Sequence, residues 1–318
     1  MSDILAHPFI ARSLPTYGRA ICYSGYREGQ HPGHGLYPSY DEIREDLHIL
    51  APHWQYLRLY DCSRHAQTVL EVIEQEDLPL RVMLGVDLAA EVSNPNCPWG
   101  ADFSEETLRE NRASNESRVI RAIALASAHP HAVMAMSIGN EASVDWTDHL
   151  VPVERLVYYA RQMRAGIPQP VTFCENYVPW TQKLQPLAET LDVIAIHTYP
   201  VWEYRSLDQA LAYTQENYRS VAEHYPDKSV IITEAGWTTA ANGRGIEPHN
   251  ASEELQAGYY EQLLNWTDRE QILTFIFEAF DEPWKGSADP LEPEKHWGLY
   301  RVDRTPKLAM LAHPATAG

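Results

Sequence analysis

Two glutamates stand where carboxylates can act in concert. Glu141 follows the apolar run 132–138 through Gly139 and Asn140, and Glu234 follows the run 230–233 and opens the string Glu234-Ala235-Gly236-Trp237. Cleavage of a glycosidic bond needs such a pair facing across a pocket: one carboxyl protonates the leaving oxygen and the other attacks the anomeric carbon or activates water. A separation of ~5–5.5 Å gives retention, and ~6.5–9.5 Å leaves room for water and gives inversion. The two groups must also differ in proton affinity. Arg58 can hold one of them ionised through a charge-assisted hydrogen bond, and burial or a neighbouring carboxylate can keep the other protonated. The rival reading of both glutamates is a structural ion pair with Arg58 or Lys285.

The elements that must position this pair are short β-branched runs alternating with amphipathic stretches, the pattern of consecutive βα units around a parallel sheet. Strands are expected at 19–24, 56–60, 81–86, 132–138, 171–174, 193–197, 230–233 and 273–277. Helices are expected from Ser39, a natural N-cap with Glu42 as its capping-box partner, and at 66–76, 104–128, 153–165, 182–190, 207–224 and 253–265, with a short last helix at 306–311. Eight units close a single (β/α)8 TIM barrel, and 318 residues suit one such domain over 1–318. A doubly wound open sheet is the main alternative. Its phosphate loop would follow strand one, where SGYREGQHPGHG has neither GxGxxG nor GxxxxGK spacing.

In a barrel, side chains past the strand C-termini converge on one face. Besides the two glutamates, those positions hold Tyr23, Tyr26, Arg27, Arg58, Tyr60, Asp61, Asn140, Glu175, Asn176, Tyr177, His197, Tyr199, Trp202, Glu278, Asp281, Glu282, Trp284 and Lys285. His197 is expected to orient a carboxylate or a hydroxyl. Glu175 and Glu278 are expected either at the sugar or in hydrogen bonds behind it. Trp237, Trp284 and Trp297 lie on strand-end loops and are expected to stack on sugar, with plugging of the barrel mouth as the alternative. Trp54, Trp146, Trp180 and Trp266 are expected in packing. His31 and His34 are two histidines in a loop without a carboxylate trio, so no metal is expected there.

Hydrophobic residues make up 44% of the chain, enough for a large core, and nine tryptophans are a rich supply for a cleft. Lys plus Arg total 25 against 44 Asp plus Glu, a formal net charge of −19 that argues against nucleic acid and anionic membranes as partners. The four cysteines, Cys22, Cys62, Cys97 and Cys174, form no CxxC pair and fit free thiols in a reducing compartment. The N-terminal string MSDILAHPFI has no basic n-region, and no run approaches a membrane span. The resulting expectation is a cytoplasmic protein with no membrane span, or a periplasmic or secreted one if a leader has been removed.

The strings RLYD (58–61), GNE (139–141), TYP (198–200), TEAGW (233–237), FDEPWK (280–285) and EKHWGLY (294–300) resemble the signatures of glycoside hydrolase family 17, and ICYSGYREGQ and DLHILAP resemble its bacterial branch. The resemblance runs in order over essentially the whole chain. It implies a (β/α)8 barrel that acts on β-1,3-glucan without a cofactor. By position it implies Glu141 as acid/base, Glu234 as nucleophile, Asn140 on the sugar 2-hydroxyl and Tyr199 beside the nucleophile. Glu282, Lys285 and Glu294 match a polar trio near the active site. The chain departs from many members in having Asp281 for Asn and Trp297 for Phe, which bears on glucan preference.

The expected activity is therefore a retaining β-1,3-glucan hydrolase of laminarin-type substrate. Alternatives are a β-1,3-glucanosyltransferase, a barrel that binds glucan without cutting it, and a metal-dependent barrel hydrolase.

Overall fold

The segment Val193–His197 is buried along its whole length, as a strand must be when both faces are covered. A computed structural model, which describes residues 12–312, places it as the sixth of eight parallel strands. These are β1 (Ala20–Cys22), β2 (Tyr56–Arg58), β3 (Arg81–Leu84), β4 (Val133–Asn140), β5 (Val171–Asn176), β6 (Val193–His197), β7 (Ser229–Ala235) and β8 (Thr274–Ile276). They pair in chain order, and β1 also pairs with β8, so the sheet closes into a barrel and the open-sheet alternative is excluded.

The helices outside the barrel are α1 (Tyr40–Leu50), α2 (Arg64–Gln75), α3 (Glu105–Ala128), α4 (Val153–Gly166), α5 (Tyr177–Trp180), α6 (Gln185–Ala188), α7 (Leu207–His224), α8 (Glu253–Glu270) and α9 (Leu308–Ala312). Serine caps recur at their starts. Ser39 and Glu42 form the expected reciprocal box at α1, and Ser104 accepts from Thr107 at α3. The short helix expected at 182–190 is α6, which is shorter still, and α5 is a further single turn directly after β5 that the sequence pattern did not suggest. Pro186 lacks the N–H that a continuing helix needs, so it sits in the first turn of a new one.

The layer between strands and helices is apolar. Trp54, Trp180 and Trp266 are buried there, as their sequence context suggested. Among the described residues no helix is long and apolar enough to cross a membrane. All four cysteines are buried and free.

One glycine shows how closely the strand ends approach at the site. A Cβ on Gly236 would lie 2.0 Å from the Phe277 carbonyl oxygen. Only glycine lets the chain leaving β7 pass against the end of β8, two residues beyond Glu234.

Candidate active site

Glu141 and Glu234 come from opposite sides of the barrel and meet at its C-terminal face. One oxygen of each, together with a ring nitrogen of His197, lies within 4.8 Å of the others. They line an open cleft of about 1000 Å³. Small-molecule sites span about 300–1,000 Å³, so this volume suits an oligomer rather than one sugar.

Glu234 is the penultimate residue of β7 and is almost fully buried. Arg58 Nη1 donates to its Oε1 at 2.5 Å and the Tyr60 hydroxyl donates to the same oxygen at 3.0 Å. The Tyr199 hydroxyl donates to Oε2 at 2.5 Å, and His197 Nδ1 lies 3.4 Å from that oxygen. Burial alone would raise this carboxyl. The His197 and Arg58 charges, with the hydrogen bonds, overcome it and hold the group at about 2. Glu234 is thus ionised and aimed into the cleft, the state a nucleophile needs.

Arg58 is the hub beneath it. Its guanidinium also donates to the Thr233 carbonyl, to the Tyr60 hydroxyl and to Asn140 Oδ1. The fork geometry suits one arginine to several acceptors. Arg58 is buried behind these side chains and does not line the cleft, so it acts through Glu234 and Asn140 rather than on a ligand.

Glu141 stands one residue past β4, with its side chain about a quarter exposed. Its backbone N–H donates to the Cys174 carbonyl at 2.9 Å, and its φ is +44°. That left-handed conformation is costly for a residue with a Cβ and recurs at functional sites. The turn is held from behind by Glu175 of β5. Both the N–H (2.9 Å) and the hydroxyl (2.8 Å) of Ser143 donate to its Oε2, and Asn176 N–H donates to its Oε1. Burial and the adjacent Glu141 charge push Glu175 up to about 7.

His197, fully buried at the end of β6, touches both carboxylates. Its Nδ1 is 2.9 Å from Glu141 Oε1. Burial would strip its proton, but the charge of Glu234 and contacts with Cys174 and Glu141 raise it to about 10. The expectation that His197 orients a carboxylate is met twice over. The same proton bears on metal binding. Glu141, His197 and Glu234 are the one cluster of metal-ligand type among the described residues, and an imidazolium offers no lone pair at Nδ1. His31 and His34 stack on each other, and His31 packs edge-on against Trp284.

The structure brings Tyr23, Tyr60, Asn140, Tyr177, Tyr199, Trp284, Lys285, Glu294 and Trp297 to the cleft lining. Tyr23 commits its hydroxyl to Asp46, and Trp297 is nearly all buried, packed on Tyr199, Phe277 and Trp202. Trp237 is not brought there. It is buried against Tyr259 of α8, and its indole N–H donates to the Asn250 carbonyl. Glu282 is also absent from the lining. It and Glu278 lie beneath Lys285, whose ammonium is 2.7 Å from one and 2.6 Å from the other. Burial pushes Glu278 upward against that cation. Glu294 lines the cleft and is raised to about 7 by burial, with Lys285 opposing and the Glu234 and Glu141 charges assisting. Asp281 pairs with buried Lys307 at 2.7 Å, so this departure from the family pattern is absorbed by a local cation rather than presented to a ligand.

Trp146 corrects another expectation. It lines the cleft with Trp99, and both are exposed. The available signal was the polar-aromatic string Asp145-Trp146-Thr147-Asp148-His149, directly after a strand end that carries Glu141.

The sequence profile of the BtgE/BtgC glycoside hydrolase domain matches residues 20–298. A probable glucan endo-1,3-beta-glucosidase btgC of Aspergillus clavatus is 26% identical over 290 residues, covering 82% of this chain and 38% of that protein. The chain thus spans well under half the length of that relative. A glucan 1,3-beta-glucosidase of Schizosaccharomyces pombe is 24% identical, covering 84% of this chain and 79% of that protein. Among solved structures, an endo-laminarinase from Formosa Hel1_33_131 superposes with a TM-score of 0.80 at 25% identity, covering 94% of this chain and 89% of the other.

Proposed function

The chain belongs to the BtgE/BtgC glycoside hydrolase family, and from that premise we propose that it is a retaining β-1,3-glucan hydrolase working through a covalent glycosyl-enzyme. The observation that carries the reading is the approach of Glu141 and Glu234 to within 4.8 Å, on the short side of the ~5–5.5 Å typical of retention and well below the ~6.5–9.5 Å of inversion. That spacing is too short for the inverting arrangement, in which a water sits between the base and the intact substrate.

In this reading Glu234 Oε attacks the anomeric carbon as the bond to the leaving oxygen breaks. Glu141 gives its proton to that oxygen, and an ester to Glu234 forms. Glu141, now a carboxylate, takes a proton from water as the water attacks the same carbon, and Glu234 leaves as the carboxylate. Asn140, fixed by Arg58, presents its amide to the sugar bound against Glu234. The names of the laminarinase and glucosidase relatives support β-1,3-linked glucan as the substrate.

The test converts Glu234 to Gly and supplies azide with an activated β-glucoside of laminari-oligosaccharide type. Recovery of the α-glycosyl azide supports the role. Full activity of Glu234→Ala on laminarin overturns it.

A further inference from the structure

Two tryptophans on the cleft rim have no place in the chemistry above. Trp99, in the loop after β3, is 65% exposed, and Trp146, in the loop after β4, is 42% exposed. Exposing an indole forfeits a large apolar contribution, and two on adjacent loops form a surface that favours a flat partner.

Their mounting is rigid. Asn94, 3% exposed, donates its side-chain amide to the carbonyls of Asp145 (2.9 Å) and Thr147 (2.7 Å), the residues on either side of Trp146. Its backbone N–H donates to the Ala101 carbonyl at 2.8 Å and its Oδ1 accepts from Asn96, which closes the loop carrying Trp99. One buried asparagine therefore fixes the backbone of both loops that carry the exposed indoles. On the same rim Asp148 pairs with His149 at 2.7 Å, and the other ring nitrogen of His149 sits 2.8 Å from the Asn140 carbonyl. The rim is thereby tied to the residue preceding Glu141. A surface fixed in advance costs little entropy when a ligand settles on it.

We propose that Trp99 and Trp146, with the Asp148 carboxylate on the same rim, form an additional glucan-binding platform that holds sugar units of the chain beyond the reacting pair. The proposal rests on the β-1,3-glucan reading of the site. The occupant is a glucan because the platform is continuous with the cleft that holds Glu141 and Glu234. Its chemistry is that of a neutral polyol: indole faces for the C–H faces of pyranose rings, and a carboxylate acceptor for hydroxyls. Such a platform adds affinity for long chains and leaves the bond-breaking step alone.

The experiment compares wild type with Trp99→Ala, Trp146→Ala and the double variant on laminaritriose and laminariheptaose, with Trp146→Phe as the conservative control. Each alanine should lower kcat/KM on laminariheptaose by about tenfold and on laminaritriose by no more than about twofold. Trp146→Phe should keep most of the long-chain rate. Binding is read separately by titrating laminariheptaose into Glu234→Gln and following tryptophan fluorescence, where adding both alanines should weaken affinity. Equal losses on both oligosaccharides, or none on laminariheptaose, overturn the platform. If wild type cuts neither oligosaccharide, the hydrolase reading fails instead. The titration then decides the platform alone: loss of binding in the double variant sustains it, and unchanged or absent binding overturns it.

Discussion

His197 Nδ1 lies 2.9 Å from Glu141 and 3.4 Å from Glu234, so a single buried imidazolium is shared by the two carboxylates. Its charge helps hold Glu234 at about 2. Replacing it with Asn should raise the Glu234 carboxyl by roughly 1–3 pH units, the usual influence of one adjacent opposite charge. The acidic limb of kcat/KM on laminarin should move up accordingly. The sign follows from a depressed folded-state value: the stabilisation by ionised Glu234 is present above the ordinary 4.5 and is lost as pH falls through about 2. An unmoved acidic limb in His197→Asn would refute the shared-charge account.

Arg58 should be intolerant of lysine. A lysine keeps the charge but cannot serve Glu234, Asn140 and the Thr233 carbonyl together. Arg58→Lys should lower kcat by about tenfold or more, since at least one charge-assisted hydrogen bond worth ~1.5–3 kcal/mol is lost. Arg58→Met removes one partner of a buried ion pair and should cost about 3 kcal/mol of stability in urea denaturation.

Glu175 holds the Glu141 turn and is raised to about 7 by burial and by the Glu141 charge. A carboxyl raised above its unfolded value stabilises the fold fully below 4.5, and that contribution is lost as pH rises through about 7. Glu175→Gln should therefore remove a step in stability between those two values. It should also lower kcat more than it raises KM, because an amide puts an N–H toward donors from Ser143 or Asn176. Thermal melts across pH and a kcat-against-KM comparison check both halves.

Trp237 should behave as packing. Trp237→Ala should cost about 3–5 kcal/mol, as large-to-small core changes do. Trp237→Phe should fold and leave KM for laminarin unchanged. A KM increase in the Phe variant with an unaltered melt would return Trp237 to the cleft.

The barrel was legible because its strands are buried on both faces and its helices begin at serine caps, both local signals. Glu141 and Glu234 were legible for the same reason: a strand end has one place to go in a closed barrel. Loop residues were not. Trp237 and Trp284 look alike in sequence, yet one packs against Tyr259 of α8 while the other borders the cleft. Trp146 reads as a surface residue until Asn94, more than fifty positions earlier, is seen to grip both neighbouring carbonyls. The resemblance puts Glu282 near the active site, but a motif match cannot tell a carboxylate above Lys285 from one buried beneath it. Pro186 in the first turn of α6 was a visible sign that no helix runs through from the end of β5.

The left-handed backbone at Glu141 sets two selective pressures against each other. Left-handed geometry costs a residue with a Cβ about 1–2 kcal/mol that glycine avoids, and losing the carboxylate would also relieve its repulsion of Glu175. A library evolved for heat resistance alone should enrich glycine at position 141 and arrive at hardy, inert barrels. Directed evolution of this scaffold needs an activity gate at every round, because its most useful side chain is also one that thermal selection would discard.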